Sequence, residues 1–457
     1  MTSELPKTSV AETLARKIVA LQPGSLPAAT VRKCEDLLID VTGLCVTARN
    51  EDYIKSALSG WDDDGPCTAI GHARTLTASG AAFVNGTAAH GEDFDDTFEG
   101  GPVHAGAVVV PAVLAACEKH HPDGRMALLG IAVGCEVLCR LSVVVPKAVH
   151  KAGFHPTAVF GAMGAAAGVG AALGLNAKQI VDALGIAGSM AGGIIEYLAE
   201  GAWTKRLHAG WAAQSGIRAA LLARQDFVGP RTVFEGVHGL FNGFAHTTKG
   251  DYGALTKDFG ERWVIDTLAF KPYPCGTMAQ PYIDCAKRLA ARGIKAEDIK
   301  EIVCEVAEGT VHRLWEPLAD KQRPRNGYAA KFAVPYLLAA GFVHGGVGLG
   351  AFTEAAIRDP KVLALAAKVK FVIDPDNPYP NNYTGHIRAT LNDGSVIEER
   401  QPYLRGGAQE PLTRQDVTDK FALNAQHGGW SRAQSDVALK LMAGLYGGKI
   451  DLGALRS

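Results

Sequence analysis

The chain has 457 residues, which sets a soft expectation of three domains, or one or two larger ones, and makes a sizeable buried core possible. Its 46 Lys and Arg stand against 47 Asp and Glu, a net charge of -1, so general nucleic-acid binding and an acidic tail are both excluded. The composition, 47% hydrophobic and 20% charged, is globular, and 53 glycines with only 7% aromatics predict an interior of small side chains with closely approaching backbones.

The first residues, Met1 to Lys7, lack a basic stretch followed by an apolar one, so no secretory signal is expected and the cytoplasm is the expected location. From 8 to 270 the pattern is helical almost throughout. Ser9 is placed to cap a helix through Leu14, Ile18, Val19 and Leu21, and a second starts near Leu26-Pro27 and runs through Leu44. Further helices are predicted at 77–90, 106–119, 126–143, 156–174, 177–187 and 209–225. The segment Ala158–Leu175 carries no charge and is long enough for a bilayer, but its Gly at 161, 164, 168, 170 and 174 favour a buried helix in close contact with others, and no membrane association is expected. The nine cysteines form no Cys-x-x-Cys pair, which argues against both a disulfide framework and a zinc ribbon.

Lys271-Pro272-Tyr273-Pro274 interrupts this pattern. Alternation at 302–306 and 369–373, and on both sides of Asn392-Asp393-Gly394 (386–391 and 395–400), predicts strands, the last two joined by a hairpin turn. Helices are predicted between them at 277–292, 329–342 and 350–368, and again at 414–422 and 431–446. The reading is mainly α: a large all-helical domain from residues 1–269 and 404–457, with an α+β domain at 270–403 between them.

The densest cluster of chemically capable residues is His90-Gly91-Glu92-Asp93-Phe94-Asp95-Asp96-Thr97, followed by His104 after a Gly100-Gly101-Pro102 turn. Four carboxylates in five residues cannot all ionise cheaply without cations or N–H groups nearby, so they are read as the wall of a substrate site, with a solvated, helix-capping loop as the plainer alternative. His155 precedes Pro156 at a helix start, a position that opposes imidazolium and suits a neutral donor or base; a simple cap explains it as well. Lys205, Arg206 and His208 fit a carboxylate substrate or an ordinary basic patch, with Lys205 and His208 on one face if the segment is helical. Lys271 lies at the change of domain character, in a cleft or in a rigid hinge, and Tyr336 on an apolar helix fits core packing at least as well as catalysis. Gly346-x-Gly348-x-Gly350 lacks a preceding strand and does not mark a dinucleotide site. The aspartates at 93–96 loosely suit a magnesium-dependent diphosphate enzyme, but no second aspartate-rich cluster completes such a clamp, and no metal site is expected.

Taken in order, Asn85-Gly86, His90, Asp93-Phe94-Asp95-Asp96-Thr97, His104, Phe154-His155-Pro156, Lys205-x-x-His208-x-Gly210 and Lys271-x-Tyr273-Pro274-Cys275 resemble the MmgE/PrpD family over about residues 8–446. The resemblance implies an all-helical domain from both chain ends, a smaller α+β lid domain, a homodimer, and cofactor-free proton transfer beside a carboxylate of a di- or tricarboxylic acid. It also implies a site of Asp93, Thr97, His104, His155, Lys205, Lys271 and Tyr336, to which Arg206, His208 and Gln280 are added as substrate contacts. Within it, His104 is read as the base, Asp93 as a carboxylate that orients it or a neighbour, and Lys205 and Lys271 as stabilisers of the developing negative charge. Many members have a Thr-His pair where this chain has Ala279-Gln280, so an acid for a departing hydroxyl is missing there. On that ground the expected reaction is epimerisation of iminodisuccinate, with 2-methylcitrate dehydratase or cis-aconitate decarboxylase as alternatives and a non-catalytic, ligand-binding relative as a rival.

Overall fold

A computed structural model describes residues 7–101 and 103–457. Most of the segment read for a secretory signal, Met1 to Pro6, and Pro102 of the Gly-Gly-Pro turn lie outside the described residues. Two compact units are present: residues up to Leu268 together with Thr413–Ser457, and Ala269–Leu412. Residues 404–412 fall in the second unit, where Phe270 N donates to Gly406 O and Gly406 N to Glu410 O.

In the first unit, Ser9 and Glu12 form a reciprocal cap on the helix Val10–Ala20, and Pro27 precedes the helix Ala28–Ala48. Val19 is 40% exposed and Leu21 lies beyond the last turn, so neither belongs to the buried stripe. Helices follow at Ala78–Gly91, Gly106–His120, Gly124–Val144, Pro156–Ala172, Ala177–Met190 and Thr204–Arg224. The last begins five residues before the predicted start, because Thr204-Lys205-Arg206-Leu207-His208 carries charge in place of an apolar period. A helix at Asp52–Ser59 and a short antiparallel pair, Asp64–Thr68 with Thr75–Leu76, were not expected; pieces this short carry too few residues to show a period.

Glycine sets the helix spacing in this unit. A Cβ on Gly134 would meet Gly164 O at 2.8 Å, and one on Gly168 would meet Gly130 O at 2.6 Å, so the helices Gly124–Val144 and Pro156–Ala172 touch backbone to backbone. Gly86 likewise lies against Gly210 Cα, drawing the helix Ala78–Gly91 onto Thr204–Arg224. Among the described residues one helix, Gly124–Val144, is long and apolar enough to cross a membrane, and 94% of its apolar window is buried inside the fold. The returning C-terminal helix Arg414–His427 packs on Ala28–Ala48, and Arg432–Gly444 follows it.

The second unit is built on a four-stranded sheet in the order Val369–Ile373, Ile299–Val306, Gly385–Leu391, Val396–Gln401. The first pair is parallel, with Cys304 opposite Phe371, and the other two pairs are antiparallel. The helix Gln280–Ala291 packs on it and Val334–His344 packs on that helix, burying Ile283, Leu289, Leu337, Ile302, Cys304 and Ile387 in one core. The predicted helix at 350–368 is instead two 3-10 turns and a helix at Pro360–Ala366, because Pro360 cannot donate and holds Asp359 out of helical geometry. Pro335 similarly separates the turn Gly327–Ala330 from Val334–His344, where one helix over 329–342 was expected.

Candidate active site

The first unit gathers four imidazoles around the acidic loop. His90 lies in the last turn of the helix Ala78–Gly91, and the loop that follows turns at Asp93, whose φ of 55° lies in the left-handed region that aspartate tolerates better than most side chains. The chain returns through Thr97 to the helix Gly106–His120. Asp96 caps that helix, accepting from Ala105 N at 2.9 Å and Gly106 N at 2.9 Å. Burial and the neighbouring Asp95 push the Asp96 carboxyl up to about 7 against the pull of those two amides.

His90 Nδ1 lies 2.6 Å from Asp95 Oδ2, with both side chains fully buried. His104 Nδ1 lies 2.7 Å from the Asp96 carbonyl and 3.5 Å from the same Asp95 Oδ2. A carbonyl only accepts, so His104 carries its proton on Nδ1 and the neutral ring offers its lone pair at Nε2. The His104 main-chain N–H donates to Thr157 Oγ1 at 3.2 Å, tying the ring to the start of the helix Pro156–Ala172.

His155 stands at the N-terminus of that helix, its ring stacked on His90 at 5.5 Å between centroids and its Nδ1 3.1 Å from His208 Nδ1. Burial holds the His155 imidazole well below its ordinary range, reinforced by the surrounding His90, His208, Lys205 and His104. His208 is lowered to about 4 by burial, then by His90 and Lys205. Both rings are therefore neutral at neutral pH. His208 and Lys205 occupy the first turns of Thr204–Arg224, and Lys205 is ion-paired to Asp93, with both residues buried.

Seven of the ten expected site residues, Asp93, Thr97, His104, His155, Lys205, Arg206 and His208, lie in this unit. Thr97 is buried in the short strand Thr97–Phe98. Arg206 has a different role from the one expected: its Nε donates to Gly91 O at 2.9 Å and its guanidinium lies 4.4 Å over the Tyr53 ring, so it fastens two helices together. The other three belong to the second unit. Lys271 is buried there. Tyr336 donates to Ala351 O at 2.5 Å, and burial pushes its phenol up to about 12. Gln280 is fully buried, with its amide nitrogen 3.3 Å from Tyr273 O and 3.4 Å from Cys275 O, so it clamps the Pro-rich loop from beneath and is no open substrate contact.

His90 and Asp95, named in the acidic cluster but given no role of their own among the ten, pair with each other within the site, and Lys420 was not expected there at all. Lys420 donates to Phe94 O at 2.6 Å, pairs with Asp40 at 2.7 Å and lies 4.0 Å over the Phe94 ring, which anchors the acidic loop from the far end of the chain. No local signal marks it.

The ligand atoms of His90, Asp95 and His104 lie within 4.8 Å of one another, close enough to raise a metal site. Two atoms bound tetrahedrally at zinc distances sit about 3.3 Å apart. The 2.6 Å His90–Asp95 contact is shorter than that and His104 Nδ1 faces a carbonyl, so Asp95 Oδ2 and the two Nδ1 atoms are spaced as hydrogen-bond partners and not as ligands of one ion. The arrangement suits proton transfer beside a buried cation.

Residues 12–252 match the MmgE/PrpD N-terminal domain and residues 273–442 the MmgE/PrpD C-terminal domain. The chain is 31% identical over 434 residues to a cis-aconitate decarboxylase of Homo sapiens, covering 91% of this chain and 88% of that protein. It is 27% identical over 435 residues to a cis-aconitate decarboxylase of Aspergillus terreus, covering 88% and 86%. A mitochondrial 2-methylcitrate dehydratase of Yarrowia lipolytica is 26% identical over 175 residues, covering 35% and 31%.

Proposed function

The chain belongs to the MmgE/PrpD family, and on that premise we propose that it is a cofactor-independent lyase that decarboxylates a tricarboxylate of the cis-aconitate class. The observation that carries the reading is similarity along nearly the whole chain to proteins named as cis-aconitate decarboxylases, joined to a buried cation and an imidazole with a defined proton position. Epimerisation, the first expectation, rested on Gln280 standing in place of an acid, whereas the named relatives are decarboxylases and a dehydratase.

In such a substrate one carboxylate sits on a CH2 next to a carbon–carbon double bond. Breaking the bond to that carboxylate releases carbon dioxide, its electron pair forms a new double bond, and the old double bond's pair takes a proton at the far carbon. One proton is consumed and one carbon dioxide leaves. His104 is the donor in its imidazolium form: the Asp96 carbonyl keeps the Nδ1 proton, so the proton taken up at Nε2 is the one delivered, and the ring returns to the neutral Nδ1–H form. Lys205 stabilises the negative charge that develops beside a carboxylate, and Asp93 holds it in place. His155 and His208, neutral in the fold, supply hydrogen bonds without adding positive charge that would stabilise the bound acid more than the transition state.

We also propose a homodimer. Trp203, Leu207 and Trp211 are 50%, 38% and 48% exposed at four-residue spacing along the helix that carries Lys205, an apolar stripe that a second copy would cover. Trp211→Glu is expected to lower the sedimenting mass to that of a monomer, and an unchanged mass rejects this surface.

The test of function is incubation in deuterium oxide with cis-aconitate, citrate-like hydroxy acids and aspartate-derived acids in separate reactions. The expected result is carbon dioxide from cis-aconitate and one deuterium in the product. Loss of water from a hydroxy acid without carbon dioxide would move the assignment to a hydro-lyase, and deuterium exchange into an aspartate-derived acid alone would restore epimerisation.

A further inference from the structure

Asp95 touches two imidazoles with one oxygen: Oδ2 is 2.6 Å from His90 Nδ1 and 3.5 Å from His104 Nδ1, and the carboxylate is fully buried. The tautomer of His104 does not depend on this contact, since the Asp96 carbonyl already holds the Nδ1 proton. Asp95 therefore acts on His104 through charge. A carboxylate this close favours the protonated ring. His90 has the nearer approach to the same oxygen, and the N–H it donates there satisfies part of the charge that otherwise acts on His104.

We propose that Asp95 and His90 are positioning residues that set the proton affinity of His104 in opposition, Asp95 raising it and His90 moderating it. The catalytic consequence rests on His104 as proton donor in the proposed reaction, whereas the coupling itself is a property of the resting protein. The other charged and titratable groups facing this cluster come from every neighbouring element: Asp93 and Asp96 in the loop, Lys205 and His208 on Thr204–Arg224, His155 on Pro156–Ala172, Asp40 and Lys33 on Ala28–Ala48, and Lys420 on Arg414–His427. None of these side chains is replaced in either variant; Asp95 also raises Asp96, and His90 also lowers His155 and His208, so the His104 titration is read site-specifically.

The experiment is a pair of variants, Asp95→Asn and His90→Phe, the second keeping an aromatic ring against His155. Two quantities are read: the His104 ring titration in the resting protein by NMR of labelled histidine, assigned with His104→Gln, and the pH profile of kcat/KM. In Asp95→Asn the His104 midpoint and the alkaline limb are expected to fall by about one to two pH units, with the rate at neutral pH down about tenfold or more. In His90→Phe both are expected to rise. Midpoints that stay in place, or that move in the same direction in both variants, overturn the proposal, as does a rate loss with an unmoved limb. Should Asp95→Asn fail to fold, His90→Phe decides by itself, since only an upward shift agrees with the proposal. Opposite shifts in a protein that releases no carbon dioxide from any tricarboxylate would sustain the coupling and reject the decarboxylase reading.

Discussion

Lys205→Met removes the cation buried against Asp93, and the two residues are only 7% and 4% exposed. A buried carboxylate that loses its partner either stays charged at a large cost or takes up a proton, and the cheaper route bounds the penalty. Holding an aspartic acid protonated at pH 7 when it would ionise near 3.9 unfolded costs about 4 kcal/mol, and any other polar neighbours of Asp93 reduce this. The sign follows from linkage. In the variant the folded-state affinity of Asp93 for a proton is raised, so stability is retained below about pH 4 and lost by up to about 1.4 kcal/mol per unit as pH rises toward neutrality. Urea unfolding at several pH values, followed by fluorescence of Trp203 and Trp211 in the same unit, measures the deficit. Asp93→Asn combined with Lys205→Met removes both charges and is expected to recover most of the stability, while turnover stays down by about a hundredfold or more in both variants. A deficit that does not vary with pH, or a double variant as unstable as the single, refutes the buried-pair argument; near wild-type turnover in Lys205→Met takes this lysine out of the chemistry.

Exhaustive chelation is expected to leave turnover unchanged, because the His90–Asp95–His104 contacts are hydrogen bonds; complete loss restored by added zinc or magnesium would make those residues ligands. His208, lowered to about 4 in the fold from an ordinary 6.5, resists protonation that the unfolded chain accepts, so thermal stability is expected to fall as pH drops from about 6.5 to 4, and His208→Gln to flatten that dependence in a pH series of Tm. A slope unchanged in His208→Gln would place the titration elsewhere. Gly210→Ala would drive a Cβ onto Phe83 O and Thr87 Oγ1, part the helices carrying Lys205 and His90, and is expected to cost about 1–3 kcal/mol and more than tenfold in turnover; wild-type values for both would show that the contact is not tight.

Helix starts were readable because they are local. Ser9 with Glu12, and Pro156 at a first turn, satisfy or remove donors within a few residues of themselves. Asp93, His104, His155 and Lys205 were readable because the family pattern keeps them in order along the chain. The same local reading erred where one residue outweighs a period, as Pro360 does within 350–368, and where charge replaces the period, as it does ahead of residue 209. Other features depend on groups far apart in the chain. Lys420 reaches the Phe94 carbonyl across 326 residues, and Ile302 pairs in parallel with Val369 on one side of its strand and antiparallel to Ala389 on the other. The role of His104 also belongs here, because its tautomer comes from a main-chain carbonyl and its charge environment from a carboxylate shared with His90. Periodicity specifies which face of a helix is buried, whereas the partner and the register are chosen by close packing, here of Gly134 on Gly164 and Gly86 on Gly210. A tenth of a nanometre in that packing decides whether a buried donor meets its acceptor, and no single segment of the chain contains that distance.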